Sequence, residues 1–300
     1  MRAPQVSYFT RHTMKLPEAD LPDDAELRRQ ALALLVERDP QRKAEGTRAL
    51  RQAWQRGRVV LQAEVLITGA VMTAAEIPGR PHTPVLVPPR EVRQRSMAST
   101  EGRAALIHAL AHIEFNAINI ALDAIWRYAG MPPDFYGDWL KVADEEALHF
   151  MLLSMHLQSL GFAYGDFNAH NSLWEMAEKT ADDVLARMAL VPRTLEARGL
   201  DATPGVRKKL SQVGDHKAAE ILDIILRDEI GHVEIGNRWY RWLCEQQGVE
   251  PEPTYRELAL RHKAPVLKGP FNKEARRQAG FTEHELAELR DDGKSRHRVS

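Results

Sequence analysis

The sequence predicts an all-α protein whose core is a bundle of four long helices. Three observations support this prediction. Between residues 101 and 248, apolar residues recur with helical spacing, and glycines and prolines mark the segment boundaries. No segment alternates apolar and polar residues convincingly enough to be a strand. The motif E-x-x-H occurs twice, on two of the predicted long helices.

Most helix boundaries in this region have a local cause. Gly130 ends the first long helix, and Pro133 begins the second. The connection 161–171, fully extended, covers about 35 Å, roughly the length of a 20-residue helix, so the third helix can run parallel to the second. Pro192 is expected to kink that third helix. We expect helices at about 101–129, 133–160, 172–198, 204–213 and 215–247.

Two extensions flank this region. The five prolines between residues 77 and 90 predict an extended surface strap. The segment 59–75 fits either a helix or a loop, and the residues from 291 onwards are expected to fray. Further helices are expected at about 25–37, 42–56, 253–262 and 282–290. The chain is thus divided into an N-terminal region, a helical core and a C-terminal tail: 1–100, 101–248 and 249–300.

Charge and composition restrict the function. The 300 residues include 41 Lys and Arg and 42 Asp and Glu, a net charge of −1, which gives no support for nucleic-acid binding. Cys244 is the single cysteine, as suits a reducing compartment. The N-terminus lacks an apolar signal-peptide core. Polar residues interrupt the apolar run Ala104–Trp126, so it predicts a buried helix and no membrane contact. We expect a cytoplasmic protein.

The two E-x-x-H motifs predict metal ligands. In each motif a glutamate and a histidine share one helix face, with Cβ atoms about 5–6 Å apart. The two pairs are Glu146 with His149, and Glu229 with His232. Both faces are otherwise apolar, and a buried glutamate is costly unless it is paired or binds a metal. The alternative is a pair of solvated helix faces with ordinary salt bridges.

Glu114 and Glu196 complete the expected ligand set. Two-metal sites in helix bundles take one further glutamate from each of the two remaining helices. Glu114 is the only acid on its apolar face, and it lies at the depth of Glu146. Glu196 matches the depth of Glu229 only if the short helix that follows continues the third helix. The alternative for both is a structural acid paired with a nearby cation. Three other acids lie further from that depth: Glu175, Glu178 and Asp183.

Charge and ligand chemistry favour two iron ions. Four carboxylates and two neutral imidazoles carry four negative charges, which two divalent cations neutralise. Ligands of this kind without thiolate suit iron, manganese or a mixed iron–manganese pair, and zinc less specifically. Asp228 is expected to orient a ligand histidine. Glu145, about 100° around the helix from Glu146, is expected to be a solvated acid.

A second polar stripe lies opposite Glu114 on the same helix. Such stripes are more often buried hydrogen-bond networks or interfaces than second sites. Tyr128 and Tyr164 could be redox-active near metals, although tyrosine usually packs. The stripe consists of His108, His112, Asn116, Asn119 and Asp123.

Several stretches together resemble a bacterial ferritin-like family of unknown function. They are H-I-E-F-N-A-I, D-E-E-A-L-H-F, Y-G-D-F-N-A-H-N, L-V-P-R-T-L-E-A-R-G-L-D and R-D-E-I-G-H, with V-P-P-R-E-V before the core and G-P-F-N-K-E-A-R in the tail. The resemblance covers most of the chain and implies a ferritin-like four-helix core. A more distant similarity is to the di-iron hydroxylase that acts on a modified adenosine in tRNA, and it supports only the ligand order. The resemblance implies a di-iron site on Glu114, Glu146, His149, Glu196, Glu229 and His232.

The favoured hypothesis is a di-iron oxidoreductase that activates dioxygen and oxidises a small or medium organic substrate. It requires an external electron donor, because the sequence contains no flavin or nucleotide fingerprint. One alternative is a protein that holds or oxidises iron without an organic substrate. Another is a structural module with a vestigial site. The long extensions argue against a storage cage, and a homodimer is left open.

Overall fold

Most of the chain is helical, as predicted. The structure is a computed structural model, and it describes residues 25–65 and 77–289. Within these ranges the α-helices are α1 (Leu27–Val36), α2 (Pro40–Gln55), α3 (Thr100–Arg127), α4 (Pro133–Ser159), α5 (Ser172–Lys179), α6 (Val184–Leu190), α7 (Ala197–Gln212), α8 (His216–Gln247), α9 (Pro251–Arg261), α10 (Lys273–Gln278) and α11 (Glu283–Glu288). Two short parallel strands and a 3₁₀ turn, which the sequence did not predict, are β1 (Ala25–Glu26), β2 (Val59–Val60) and Pro89–Glu91.

Side-chain caps fix where the long helices begin. Ser99 Oγ accepts a hydrogen bond from Gly102 N at 3.0 Å at the start of α3. Asp215 Oδ1 accepts one from Ala218 N at 3.1 Å at the start of α8. These caps satisfy amide groups that have no partner inside the helix. Gly248 ends α8 with a φ of 64°, which glycine adopts without a Cβ penalty.

Five helices, α3, α4, α6, α7 and α8, form most of the core in the described part of the chain. α3 packs along α4, α4 packs against α8, and α6 and α7 also pack against α8. α1 covers α3, and α2 covers α4. The start of α8 meets the start of α3 and the end of α4, because Asp215 lies 3.8 Å from Arg103 Nε and 3.0 Å from His156 Nε2. α3 and α8 therefore run in one direction, and α4 runs in the opposite direction.

α3 is the most buried of the long helices. Its interior face includes Ile107, Ile118 and Ile125, which are fully buried. By length and mean hydropathy α3 could cross a membrane, but 72% of its apolar window is buried inside the fold. This burial agrees with the core helix that the sequence predicted.

The prediction of a single third helix over 172–198 is wrong, because this stretch is divided between α5, α6 and the start of α7. His112 Nε2 lies 3.2 Å from the carbonyl oxygen of His170, just before α5. Tyr128 Oη donates to the carbonyl oxygen of Thr180 at 3.0 Å, just after α5. α5 therefore runs along α3 toward the C-terminal end of α3. It belongs to the crossover that joins α4 to α6.

α6 and α7 form one continuous rod with a π-helical turn, Val191–Glu196, between them. Pro192 lies in this turn, so the expected kink is a locally widened helix. The predicted helix start at Pro204 is wrong, because Pro204 lies inside α7. Proline has no N–H for the carbonyl four residues earlier. Asn272 Nδ2 donates to that carbonyl, Leu200 O, at 3.2 Å, which lets the helix continue.

Buried arginines tie both extensions to the core. Arg28 donates to the carbonyl oxygens of Ile125 at 3.2 Å and Trp126 at 2.7 Å, at the end of α3. Arg276 pairs with Asp201 of α7 at 2.6 Å. The four helices predicted in the extensions are present as α1, α2, α9 and α11, whereas α10 was not predicted.

The proline-rich strap, residues 77–90, has no α-helix and is partly exposed at the surface, as predicted. A backbone bridge joins Leu86 of the strap to Ala169 of the crossover. The ambiguous segment is non-helical from 59 to 65. The rest of that segment lies outside the described residues. Both chain ends, for which we expected loose structure, lie outside them as well.

Candidate metal centre

Four of the six predicted ligands form one buried group. They lie on three helices, α3, α4 and α8, whose periodicity directs them inward. The ligand atoms of these four side chains all lie within 4.8 Å of one another. The four residues are Glu114, Glu146, His149 and Glu229.

His232 faces the same carboxylates from α8. Its Nδ1 lies 3.0 Å from Glu146 Oε1 and 3.2 Å from Glu229 Oε1, and its ring is fully buried. On the other side, His149 Nδ1 lies 3.4 Å from Glu146 Oε2. Glu146 therefore has one imidazole nitrogen beside each of its carboxylate oxygens.

Glu196 lies on the rod formed by α6 and α7 and is not one of the four grouped side chains. It is the last residue of the π turn and is buried. Its Oε2 has no hydrogen-bond partner among the described residues. Burial, and then the negative charges of Glu229 and Glu146, raise its pKa well above the ordinary value. The continuous rod provides the connection that the depth comparison required.

The Nε2 atom of each histidine, on the side away from the inner carboxylates, contacts a carboxylate of the other helix. His149 Nε2 of α4 donates to Asp228 Oδ2 of α8 at 3.1 Å. His232 Nε2 of α8 donates to Glu145 Oε2 of α4 at 2.9 Å. Asp228 therefore orients a histidine, as the sequence predicted. The expectation that Glu145 is a solvated acid is wrong, because its carboxylate contacts a histidine of a different helix, α8, which its rotation about α4 does not reveal.

Both outer carboxylates also contact a surface cation. Arg227 Nε donates to Asp228 Oδ1 at 2.8 Å, and Lys141 Nζ donates to Glu145 Oε2 at 3.1 Å. Burial opposes the ionisation of Asp228, but hydrogen bonds from His149 and Arg227 outweigh it and lower its pKa. Both acids are therefore charged at neutral pH and favour a proton on the histidine nitrogen that faces them.

The inner cluster without metal retains protons at neutral pH. Burial, and next the charge of Glu146, raise the pKa of Glu114 from 4.5 to about 8. Burial disfavours charged His149, but its carboxylate partners outweigh this and raise its pKa well above 6.5. The pKa of His232 is raised in the same way, chiefly by Glu146 and Glu229. Cations that bind here would displace these protons.

Comparison with known proteins assigns the chain to a family. The family model described as "Protein of unknown function (DUF455)" matches residues 36–287. The chain belongs to this family. An "Uncharacterized protein" of Haemophilus influenzae (strain ATCC 51907 / DSM 11121 / KW20 / Rd) is 54% identical over 213 residues, which cover 69% of this chain and 74% of the relative. No solved structure matches the chain.

The donor set of this DUF455 protein fits a metal. Glu146 is 1% exposed, and no group in the described part of the chain makes a hydrogen bond of suitable geometry to either of its oxygens. The two imidazoles approach at contact distance without hydrogen-bond geometry. A buried carboxylate without donors is costly, and a bound cation supplies the missing partner. The cluster could therefore hold metal.

The second stripe of α3 is a structural network in this DUF455 protein. His108 Nε2 accepts a hydrogen bond from Gly165 N of the crossover at 2.9 Å. Asp123 forms a buried salt bridge with Arg187 of α6 at 2.6 Å. These contacts attach the crossover and α6 to α3, as expected for a buried hydrogen-bond network.

Proposed function

We propose that this DUF455 protein is a di-iron oxidoreductase built on a ferritin-like four-helix core. In this proposal the four helices are α3, α4, the α6–α7 rod and α8, and the described parts of the regions 1–100 and 249–300 pack against them. The observation that carries the proposal is the position of Glu146. Neither of its two buried oxygens has a hydrogen bond of suitable geometry among the described residues, and they lie beside the Nδ1 atoms of His149 and His232.

The side chains divide into two sets around Glu146. On one side, Glu114 Oε2 lies 3.2 Å from His149 Nδ1. On the other side, Glu229 Oε1 lies 3.2 Å from His232 Nδ1. Each set, with one oxygen of Glu146, offers two oxygens and one nitrogen to a cation. The side chains that would hold the two ions are Glu114, Glu146, His149, Glu196, Glu229 and His232.

The ligand types favour iron, with manganese or a mixed pair as alternatives and zinc as a less specific fit. Two ferrous ions bound here would supply the redox chemistry by which dioxygen oxidises an organic substrate. The electrons would come from an external donor, because the sequence contains no flavin or nucleotide fingerprint.

The protein itself supplies geometry and a dry site. Asp228 and Glu145 hold a proton on the outer nitrogens of His149 and His232, which leaves each Nδ1 lone pair available for a cation. All six proposed ligands are at most 8% exposed, so bulk water is largely excluded from the cluster.

Metal analysis of anaerobically purified protein tests the proposal. We expect about two iron ions per chain after reconstitution, a change in the ultraviolet–visible spectrum on adding air, and oxygen uptake with a chemical reductant. The double variant Glu146→Ala/His232→Ala should lose the iron. Glu101→Ala, at an exposed position of α3, should retain it.

Two results would decide against the proposal. Protein that stays nearly free of iron and manganese after reconstitution, without oxygen uptake, would refute a di-iron enzyme. Protein that binds iron but consumes no oxygen beyond the oxidation of that iron would instead indicate an iron-holding protein.

A further inference from the structure

A cavity of about 300 Å³ lies between the strap and α3. His112 and Asn116 line it, and they lie two residues on either side of Glu114, so the cavity is on the face of α3 opposite the metal centre. Its volume is at the lower end of the range of small-molecule sites. Its lining also includes Arg80, Val85, Leu86, Phe115 and Tyr164.

Arg80 is the charged group of the cavity. Its guanidinium is held in place, because Nη2 donates to Asn171 Oδ1 at 2.9 Å and Cζ lies 5.9 Å from the Trp174 ring centroid. No carboxylate of the described residues lines the cavity. Glu178, an acid close enough to act on Arg80, already accepts a hydrogen bond from Trp174 Nε1 at 2.8 Å. A fixed guanidinium in a cavity without lining acids favours an anionic ligand.

The floor of the cavity is polar. The ring of His112 is fixed by Tyr164 Oη at 2.8 Å and by the carbonyl oxygen of His170 at 3.2 Å. Asn116 adds a buried amide. The guanidinium of Arg80 balances a single negative charge, whereas a phosphate monoester carries about 1.5 to 2 at pH 7. A carboxylate is therefore the better match.

Most of the remaining wall is apolar, and His82 adds one polar ring. Phe115 forms its buried part, and Val85 and Leu86 of the strap form its outer part, 55% and 37% exposed. The strap is fixed against the crossover, because Ala169 N donates to the carbonyl oxygen of Val85 at 3.0 Å. The cavity is therefore preformed, with an apolar wall next to its cation.

We propose that this cavity binds a small organic carboxylate with an apolar body. The carboxylate pairs with Arg80, and the apolar body lies between Phe115 and Leu86. This site is separate from the metal centre and does not depend on the proposed oxidoreductase activity.

Saturation-transfer NMR titrations of the full chain with benzoate, phenyl phosphate and benzamide test the proposal. The protein is first treated with a chelator, so that carboxylates cannot bind to a cation in the metal centre. We expect saturable binding of benzoate, weaker binding of phenyl phosphate and no binding of benzamide. No saturable benzoate binding below about 10 mM would overturn the proposal. Equal binding of benzamide, or tighter binding of phenyl phosphate, would overturn it as well.

Two variants assign the binding to this cavity. Arg80→Gln should weaken benzoate binding by about tenfold or more, because a charge-assisted hydrogen bond is lost. Arg90→Gln, in the same strap and 86% exposed, is the matched control and should bind normally. Val85→Glu places a negative charge at the exposed rim and should also weaken binding without disturbing the core. Unchanged affinity in both Arg80→Gln and Val85→Glu would exclude this site.

Discussion

Removing metal should make the stability of this protein fall as the pH rises. In the metal-free protein, burial and the charge of Glu146 raise the pKa of Glu114 from 4.5 to about 8. Between these values the folded protein retains a proton that the unfolded chain releases, so the free energy of unfolding decreases with pH. At about 1.4 kcal/mol per pH unit, the full effect of this carboxyl is about 5 kcal/mol.

The two histidines act in the same direction. Their pKa values are raised well above 6.5, so their charged forms stabilise the folded state below pH 6.5. That contribution is lost as the pH rises through the folded-state pKa. The pKa of Asp228 is lowered, so its contribution is present above 3.8 and is lost only at lower pH. The metal-free protein should therefore be most stable at mildly acidic pH.

Urea unfolding of chelator-treated protein, from about pH 5 to about pH 8, measures this effect. Glu114→Gln keeps the shape without the charge and should remove the Glu114 share of the pH dependence. Glu101→Gln, on the same helix but exposed, should leave it unchanged. Saturating metal should oppose the trend, because affinity rises as ligands deprotonate. An unfolding free energy that is constant or rises with pH in metal-free protein would refute the protonation argument.

Three further predictions concern neighbouring residues. Asp228→Asn should weaken metal binding by about 10- to 100-fold in a chelator competition, since a ligand histidine loses its carboxylate partner. Gly236→Ala should destabilise the protein by about 1–3 kcal/mol, because the added Cβ would lie 2.5 Å from Pro192 Cβ, and a thermal melt measures this. Arg187→Met should cost about 3 kcal/mol in urea unfolding, because buried Asp123 loses one of its two arginine partners. An unchanged affinity, melting temperature or unfolding midpoint in the respective variant would contradict the corresponding argument.

The long helices could be predicted because their boundary signals are local. A glycine that directly follows a helical pattern of apolar residues commonly marks the end of the helix. Gly130 and Gly248 are two such glycines, and both have positive φ here. The break after α5 is different. Asp183 caps α6 by accepting a hydrogen bond from Ala186 N at 3.0 Å, a local signal that the continuous apolar pattern obscured. The direction of α5 depends on the bond between Tyr128 and the Thr180 carbonyl, which joins distant parts of the chain.

Pro204 shows why part of the fold could not be predicted. Local rules place a proline in the first turn of a helix, and we therefore expected a new helix there. The helix instead continues through it, because Asn272 satisfies the carbonyl of Leu200 from 72 residues away along the chain. Such a bond exists only once the tail has folded onto α7. No window of sequence around Pro204 contains that information.

The carboxylate partners of the two histidines, Glu145 and Asp228, can be predicted from the sequence only when both E-x-x-H motifs are compared. An acid directly precedes the proposed ligand glutamate in each motif: Glu145 before Glu146, and Asp228 before Glu229. α4 and α8 are antiparallel, so equivalent positions on them face each other's histidines in a reciprocal way. Once Asp228 is assigned to the histidine of α4, the same relation assigns Glu145 to the histidine of α8. Two antiparallel helices with an acid before E-x-x-H thus predict four inner ligands and two crossed carboxylate partners.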